Sequence, residues 1–144
     1  MKAVIQRVKS ATLTCGDFKS EINKGLVIYF GVQSLDDENK TQILANKISK
    51  MRIFEDENGK MNLSVLDSKG EILAVSQFTL IADCSHGNRP SFSNAEKPER
   101  AKMLYEKFIK ELKEIGFKVE TGVFGGDMQI LQHNDGPVSI IYEV

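Results

Sequence analysis

Two long apolar runs limit the folds that are open to this chain. "GLVIYFGV" occupies residues 25–32 and "GEILAVSQFTLIA" occupies residues 70–82. Both runs are rich in β-branched and aromatic residues, and such continuous apolar segments are typical of strands that are buried on both faces. The two runs therefore predict a sheet with two buried central strands.

Two further segments have the apolar spacing of helices. Asp36 and Asp37 can cap the first of them. Four of its apolar residues fall on one helical face: Ile43, Leu44, Ile48 and Met51. The second helix is predicted from about Pro98 to Ile115, because apolar residues recur there at helical spacing and Gly116 is placed as a C-terminal cap.

In the remaining segments, runs that alternate between apolar and polar residues are bounded by turn signals, which is typical of strands. "KAVIQRV" and "SATLTC", followed by "GDFK", predict an opening hairpin, and "RIFEDENGKMNLSV" predicts two extended pieces around a loop. "KVETGVF", "DMQILQHN" and "VSIIYEV" close the chain as three strands, with a turn at "HNDGPVS". The whole chain, residues 1–144, is therefore expected to be a single α+β domain with a mainly antiparallel sheet curled towards a barrel and two main helices.

Composition limits the classes of protein. The two cysteines, Cys15 and Cys84, have no metal-binding spacing and are too few for a disulfide framework, which favours a reducing compartment. We find no signal-peptide pattern or membrane span, so a cytoplasmic protein without membrane partners is expected.

The charges nearly balance, with 19 basic and 20 acidic residues. Proteins that grip a nucleic-acid backbone along its length need an excess of positive charge. This composition argues against a general DNA or RNA binder, although it leaves room for contact with the tip of a nucleic acid.

Side chains suited to catalysis are scarce. Cys84, Ser85 and His86 are consecutive, but neighbouring side chains in a loop usually point apart, so a solvated loop is favoured over a nucleophile with its base. His133 is interpreted as a half-exposed histidine at a strand end. The chain has no HExxH motif, paired cysteines or dense carboxylates, so neither a metal nor a cofactor is expected.

Polar residues interrupt the second apolar run at "SQFT", residues 76–79. Buried polar groups need hydrogen-bond partners. Either Gln77 and Thr79 bond to a neighbouring strand or loop, or the strand end opens on a pocket and offers hydroxyl, amide and backbone N–H groups to a ligand.

Several motifs, in this order, resemble those of the D-aminoacyl-tRNA deacylases. The quoted pieces are "AVIQRV", "MRIFEDENGKMNLSV", "SQFTL", "GNRPSF", "FGGDMQI" and "NDGPVS". "SQFTL" and "NDGPV" are the most specific, and the resemblance extends from Met1 to about Ile141. Ser139 takes a place that is ordinarily Thr in the family, so the hydroxyl is kept and one methyl group is lost.

The resemblance implies a cytoplasmic homodimer that hydrolyses the ester joining a D-amino acid to the 3′-terminal ribose of tRNA, a proofreading step in translation. It implies a cis bond between Gly136 and Pro137, which reach across the dimer and complete the pocket of the other subunit. A rigid backbone wall beside the Cα atom of the substrate would accept hydrogen and exclude an L side chain. Glycine esters would pass this wall.

The resemblance also implies roles for the pocket strand, which includes the substrate-binding residue Ser76. Backbone N–H groups of Gln77 and Phe78 would stabilise the oxyanion, while the 2′-hydroxyl of the tRNA assists the attacking water. Thr79 is the alternative nucleophile, ranked lower because no base is evident near it.

Three more residues are candidates for substrate binding. Arg7 would brace the Gly-Pro segment, and Phe124 and Met128 would line the adenosine side, although an ion pair and core packing are equally compatible roles. Two other functions stay open: a module that binds a tRNA or other nucleic-acid end without chemistry, and a hydrolase of small esters that uses Cys84 and His86.

Overall fold

The two apolar runs lie side by side at the centre of one sheet in the computed structural model, which describes residues 1–144. Their strands run parallel, with Gly25 opposite Glu71 and Phe30 opposite Ser76. The first run is a strand over almost its full length. The second leaves the sheet after Ser76 and continues as a short 3₁₀ turn, Phe78–Ile81, so the prediction of one strand over residues 70–82 is wrong in its second half.

The chain forms eight strands and two α-helices. The strands are β1 (Lys2–Cys15), β2 (Phe18–Ile22), β3 (Gly25–Gly31), β4 (Phe54–Glu55), β5 (Met61–Leu63), β6 (Glu71–Ser76), β7 (Val119–Thr121) and β8 (Gln129–Glu143). The helices are α1 (Glu38–Ser49) and α2 (Pro98–Ile115). No helix combines the length and the apolar character that crossing a membrane requires.

The main sheet has the strand order β2-β1-β3-β6-β7, and β8 lies along the other side of β1. β1 is antiparallel to β2, β3 and β8, whereas β3, β6 and β7 are parallel to one another. Breaks in the β1–β8 register near Arg7 allow β1 to bend. The predicted α+β fold with a mainly antiparallel sheet curled towards a barrel is confirmed.

Alternate residues of the central strands face two separate apolar clusters. Leu26 and Ile28 belong to a cluster of 23 buried residues between the sheet and the two helices. Val27 and Leu73 belong to a cluster of seven buried residues inside the curl of the sheet. Burial on both faces explains why these strands carry continuous apolar runs.

Both helices form where the apolar spacing predicts them. The side chain of Asp37 caps α1 by accepting the Lys40 N–H at 3.1 Å, and Gly116 ends α2 with φ of 113°. Asp36 does not cap; its carboxylate is buried and lies 2.7 Å from the amino group of Met1. Ile43 is 50% exposed, so its assignment to the buried face is wrong, because α1 packs through Leu44 and its neighbours.

One turn forms where it is predicted and one does not. "KAVIQRV" and "SATLTC" form one continuous strand, and the hairpin reverses after Cys15, at the predicted turn signal "GDFK". The predicted turn at "HNDGPVS" is wrong, because β8 continues through it as a single strand. Between the pairs Gln6–Ser139 and Val8–Asn134, β1 contributes one residue and β8 contributes residues 135–138. This bulge accommodates proline, which has no N–H to offer to the ladder.

Candidate active site

A pocket of about 630 Å³ opens where β3 and β6 end. Phe30, in β3, and Val32, just after it, line the pocket together with Ser76, the last residue of β6, and Gln77, which follows it. Because these strands are parallel, their carboxyl ends meet at one edge of the sheet, where the chains that follow can diverge and leave a crevice. Of the two interpretations of "SQFT", the structure favours the strand end that opens on a pocket.

Backbone donors become available as β6 turns away. The Gln77 N–H makes the last bond to β3, donating to the Phe30 carbonyl at 2.8 Å, and the Gln77 carbonyl accepts the first bond of the turn from Leu80 at 3.3 Å. The N–H groups of Phe78 and Thr79 precede that first bond, so they have no acceptor within the turn. The expected pair of donors is therefore corrected: the Gln77 N–H is already used inside the protein.

Two exposed aromatic rings stand at the pocket. Phe78 is 57% exposed and Phe92 is 36% exposed, and their rings meet edge to face with centroids 5.0 Å apart. Such rings expose apolar surface that a ligand can cover. Phe92 lies in the otherwise polar loop "GNRPSFSNAEKP". It belongs to the motif "GNRPSF", but it was not among the candidate site residues.

The opposite wall comes from the segment between β7 and β8. Phe124, Gly125 and Met128 line the pocket here, which brings both predicted adenosine-side residues to it. A Cβ atom at Gly122 would lie 2.5 Å from the Met128 sulfur, so glycine lets this side chain pack against the backbone. The role of the two side chains towards adenosine stays a prediction.

The charged groups of the lining are found where α2 begins. Glu96 and Lys97 line the pocket, and the Glu96 carboxylate lies 3.4 Å from Arg100 Nε. The Glu96 N–H donates to the Val32 carbonyl at 3.0 Å, which fixes this segment to the end of β3. Glu96, Lys97 and the small residue Ala95 were not among the candidate residues, and no charge or motif signal distinguishes them in the sequence.

Thr79 has no side-chain base beside it. Its hydroxyl accepts a hydrogen bond from the Gln77 side-chain amide, and an amide cannot remove a proton. Thr79 is exposed and adjoins the pocket without being part of its lining.

The other sequence candidates for catalysis are dispersed at the surface. No hydrogen bond joins Cys84, Ser85 and His86, and the Ser85 N–H instead donates to Asp83 Oδ1 at 2.9 Å. His133 is exposed on β8. No three histidine, cysteine or carboxylate side chains are grouped so that they could hold a metal ion.

Gly136 and Pro137 lie outside this pocket. They are exposed, their peptide bond is cis, and no residue of β8 lines the pocket. Along β1, Ala3 pairs with Phe30 at the pocket and Arg7 marks the Gly-Pro bulge. Four residues of strand separate these positions by about 13 Å, so the pair does not reach the pocket of its own chain.

Arg7 holds the backbone beside the Gly-Pro pair. It is 3% exposed, its Nε donates to the Asp135 carbonyl at 3.1 Å, and its Nη1 donates to the Ile53 carbonyl at 2.6 Å. Its guanidinium also lies 3.2 Å from the Asp135 carboxylate. These contacts suit a bracing residue more than one that touches a ligand. On the outer surface, the Ser139 hydroxyl accepts a hydrogen bond from the Gln6 side-chain amide at 3.1 Å.

The fold and the pocket define an α+β protein with a ligand-sized cleft at the end of two parallel strands. The family model described as D-Tyr-tRNA(Tyr) deacylase matches residues 4–143. The chain belongs to this family.

The chain is also similar to individual proteins. It is 54% identical over 144 residues to the D-aminoacyl-tRNA deacylase of Aquifex aeolicus, covering 99% of this chain and 97% of that one. A solved structure described as "c-Myc DNA Unwinding Element Binding Protein" superposes with a TM-score of 0.94 and 39% identity, covering 100% and 99% of the two chains. A probable eukaryotic D-amino acid tRNA deacylase has a TM-score of 0.84 at 15% identity, covers 99% and 98%, and supports the fold alone.

Proposed function

We propose that this protein hydrolyses the ester bond of D-aminoacyl-tRNA and releases the free D-amino acid and tRNA, as a proofreading step of translation in the cytoplasm. The observation that carries the proposal is the match of residues 4–143 to the deacylase family, together with the 54% identity to a relative of that name. The pocket supports it, because Ser76, Gln77 and Phe78 of the most specific motif lie in its wall.

The pocket offers donors for one part of ester hydrolysis. Water attacks the ester carbonyl carbon and the carbonyl oxygen becomes an oxyanion. The bond to the 3′ oxygen of the ribose then breaks, that oxygen takes a proton that comes from the water, and the amino acid leaves with its carboxyl group. In our proposal the N–H groups of Phe78 and Thr79 donate to the oxyanion, since neither has an acceptor within its turn. One well-placed donor of this kind lowers a barrier by about 3–4 kcal/mol.

We assign activation of the water to the substrate. The pocket has no histidine, and the Thr79 hydroxyl is hydrogen-bonded to an amide rather than to a base. The 2′-hydroxyl of the terminal ribose is adjacent to the ester and can assist the attacking water. Thr79 as a covalent nucleophile is the lower-ranked alternative, because a hydroxyl needs an adjacent base to be activated.

Gly136 and Pro137 are proposed to act on the pocket of a second copy of the chain. They are exposed and about 13 Å along the sheet from their own pocket, and Arg7 fixes the backbone before them. β8 is a long edge strand whose Leu131 is 78% exposed and whose Ile141 is 68% exposed, as is typical of a surface that another chain covers. The proposed active unit is therefore a homodimer.

The wall would select the hand of the amino acid by exclusion. The L and D forms exchange hydrogen and side chain on Cα, so a fixed carbonyl group close to that carbon admits hydrogen and rejects a larger substituent. Many D side chains could point away towards water. Glycine has hydrogen in both positions, so glycyl-tRNA is expected to be cleaved as well.

One assay separates this proposal from its competitors. Purified protein is incubated with a D-aminoacyl-tRNA and its L counterpart, with and without a chelator, and the remaining ester is counted. Loss of the D ester alone, unaffected by the chelator, is expected. Binding without loss would favour a module that recognises nucleic-acid ends, and activity abolished by Cys84→Ala would favour the small-ester hydrolase. Survival of glycyl-tRNA at enzyme levels that clear the D ester would contradict the exclusion argument.

Complementation tests the assignment across subunits. One variant changes Gly136 and Pro137 and keeps the "SQFT" wall, and the other changes Gln77 and Phe78 and keeps the Gly-Pro pair. The first variant should lose discrimination and cleave D and L esters alike, and the second should be inactive. A mixed dimer contains one site with both parts intact, so with the second variant in excess, selectivity for the D ester should return after the two chains are unfolded and refolded together. Folded mixed dimers that still cleave both esters would show that the pair does not act across subunits.

A further inference from the structure

β6 and β7 separate at the point where the pocket begins. Their parallel ladder ends with the pair Ala74 and Thr121. Beyond that pair, β6 continues to Ser76 and the donors of the turn, whereas the other chain continues from Gly122 to Phe124 and the opposite wall. The position of both walls therefore depends on this branch point, at the last backbone contact between the two chains.

The hydroxyl of Tyr105, on α2, lies at the branch point. Tyr105 is 4% exposed, and its Oη donates to the Ala74 carbonyl at 2.7 Å. The same carbonyl accepts the Gly122 N–H at 3.2 Å. Burial raises the pKa of the Tyr105 hydroxyl, and the nearby backbone N–H groups of Gly122 and Ser76 lower it. The Tyr105 hydroxyl and the Gly122 N–H thus meet at one carbonyl oxygen, that of Ala74, where the two chains diverge.

The ring of Tyr105 supports the pocket from beneath. Its centroid lies 6.1 Å from that of Phe30 and 6.1 Å from that of Phe124, at tilted angles of 37° and 42°. Phe30 and Phe124 both line the pocket. Tyr105 itself does not, so any effect on a reaction passes through the groups that it holds.

We propose that the Tyr105 hydroxyl is a positioning group for the active site. It fixes the end of β6, so that the Phe78 and Thr79 N–H groups stay directed at the oxyanion. The inference rests on the proposed deacylase function. Oxyanion donors act on charge that develops in the transition state, so their displacement lowers kcat more than it raises KM. Misplacement by about 1 Å can cost up to about a hundredfold in rate.

Tyr105→Phe tests this role, because it removes the hydroxyl and keeps the ring. We expect kcat on D-aminoacyl-tRNA, per folded molecule, to fall about tenfold with KM within about twofold of wild type. Amide hydrogen exchange at Ser76 and Gly122 should accelerate. Tyr142→Phe is the matched control, since the Tyr142 hydroxyl has no hydrogen bond within the protein and lies on β8 away from the pocket; it should change neither quantity.

The outcomes distinguish the proposed role of Tyr105 from the proposed deacylase function. A Tyr105→Phe protein that loses only thermal stability, with kcat within twofold of wild type, would show that the hydroxyl is structural and overturn the proposal. Unchanged exchange at Ser76 and Gly122 would overturn it too. If wild type leaves D-aminoacyl-tRNA intact, the proposed function fails, and the exchange measurement then decides by itself whether Tyr105 holds the branch point.

Discussion

The two ends of the parallel pair β3–β6 are built in opposite ways. At the amino end, Gly25 packs directly on the backbone of Glu71, and the Glu71 carboxylate accepts the Asn23 N–H at 2.8 Å and lies 3.0 Å from Lys118 Nζ. At the carboxyl end, the chains that follow Phe30 and Ser76 part around a pocket of about 630 Å³. The strands are in close contact at one end, whereas at the other end a pocket opens and the N–H groups of Phe78 and Thr79 have no acceptor within their turn.

Because of this difference, the amino end of the two strands contributes mainly to stability and the carboxyl end mainly to the chemistry of the site. A site needs donors that are not already bonded within the protein, and such groups contribute little to the folded state until a ligand arrives. The amino end supplies the rigid frame that keeps those donors in place. Changes at the amino end should therefore reduce stability, and changes at the carboxyl end should reduce activity.

The largest effect is expected for Gly25→Ala. The new Cβ atom would lie 1.8 Å from the Glu71 carbonyl oxygen and 2.7 Å from its carbonyl carbon, and both belong to backbone that cannot swing aside. The strands would have to separate at this end. We expect a loss of more than about 4 kcal/mol in the free energy of unfolding, measured by urea denaturation, or no folded protein at all.

Gly16→Ala is the control for this change. A Cβ atom there meets nothing within 4 Å, but the residue has φ of 56°, which costs a side chain about 1–2 kcal/mol. Equal losses for the two variants would mean that close packing at Gly25 does not distinguish the amino end, and the comparison between the two ends would fail.

At the carboxyl end we expect Thr79→Ala to slow deacylation about tenfold, equivalent to about 1.4 kcal/mol of barrier, while stability stays within about 0.5 kcal/mol. The exposed hydroxyl holds the Gln77 side chain, whereas the Thr79 N–H survives in alanine. Single-turnover rates and thermal melts measure the two quantities. Thr79→Ser should restore the rate. A folded Thr79→Ala protein with no activity would instead make Thr79 the nucleophile.

The sequence predicts the amino end of this pair better than the carboxyl end. Apolar runs report burial, so residues 25–31 and 71–75 were placed correctly on both central strands. The polar residues from Ser76 onward indicate a change in environment. They do not indicate that the Gln77 N–H donates to the Phe30 carbonyl, whereas the N–H groups of Phe78 and Thr79 have no acceptor within their turn. That assignment depends on pairing between strands distant in sequence.

The pocket's other walls were predictable only in part. Phe124 and Met128 belong to the motif "FGGDMQI" and were candidates for the site. Phe92, although it belongs to "GNRPSF", and Lys97 were not candidates, because they come from a loop whose fold is set by contacts such as that of Glu96 with Val32. The Gly-Pro pair predicted a special backbone, and local turn chemistry indicated a reversal. Instead, the long pairing of β8 with β1 and the contacts of the buried Arg7 hold this segment in the strand as a bulge.

The smallest expected effect is on how stability at the amino end, measured as Tm, depends on pH through Glu71. The pKa of Glu71 is lowered by the hydrogen bond from the Asn23 N–H and by Lys118. A carboxyl whose pKa is lower in the folded state adds stability above its unfolded value, here 4.5, and that contribution disappears as pH falls through the folded value. Glu71→Gln keeps an acceptor but loses its charge, so we expect Tm at pH 7 to fall by roughly 2–4 °C.

The test of this last prediction is the difference between wild type and Glu71→Gln in Tm across pH 3 to 7, because other carboxyl groups with lowered pKa, such as Asp36 and Asp67, titrate in both proteins and cancel. The difference should be largest above about pH 5 and should shrink below pH 4.5. Lys118→Gln should give a smaller difference, since it leaves the Asn23 bond in place and Lys118 is 56% exposed. A difference that does not change with pH would mean that the charge of Glu71 does not seal this end, and that the packing of Gly25 does so alone.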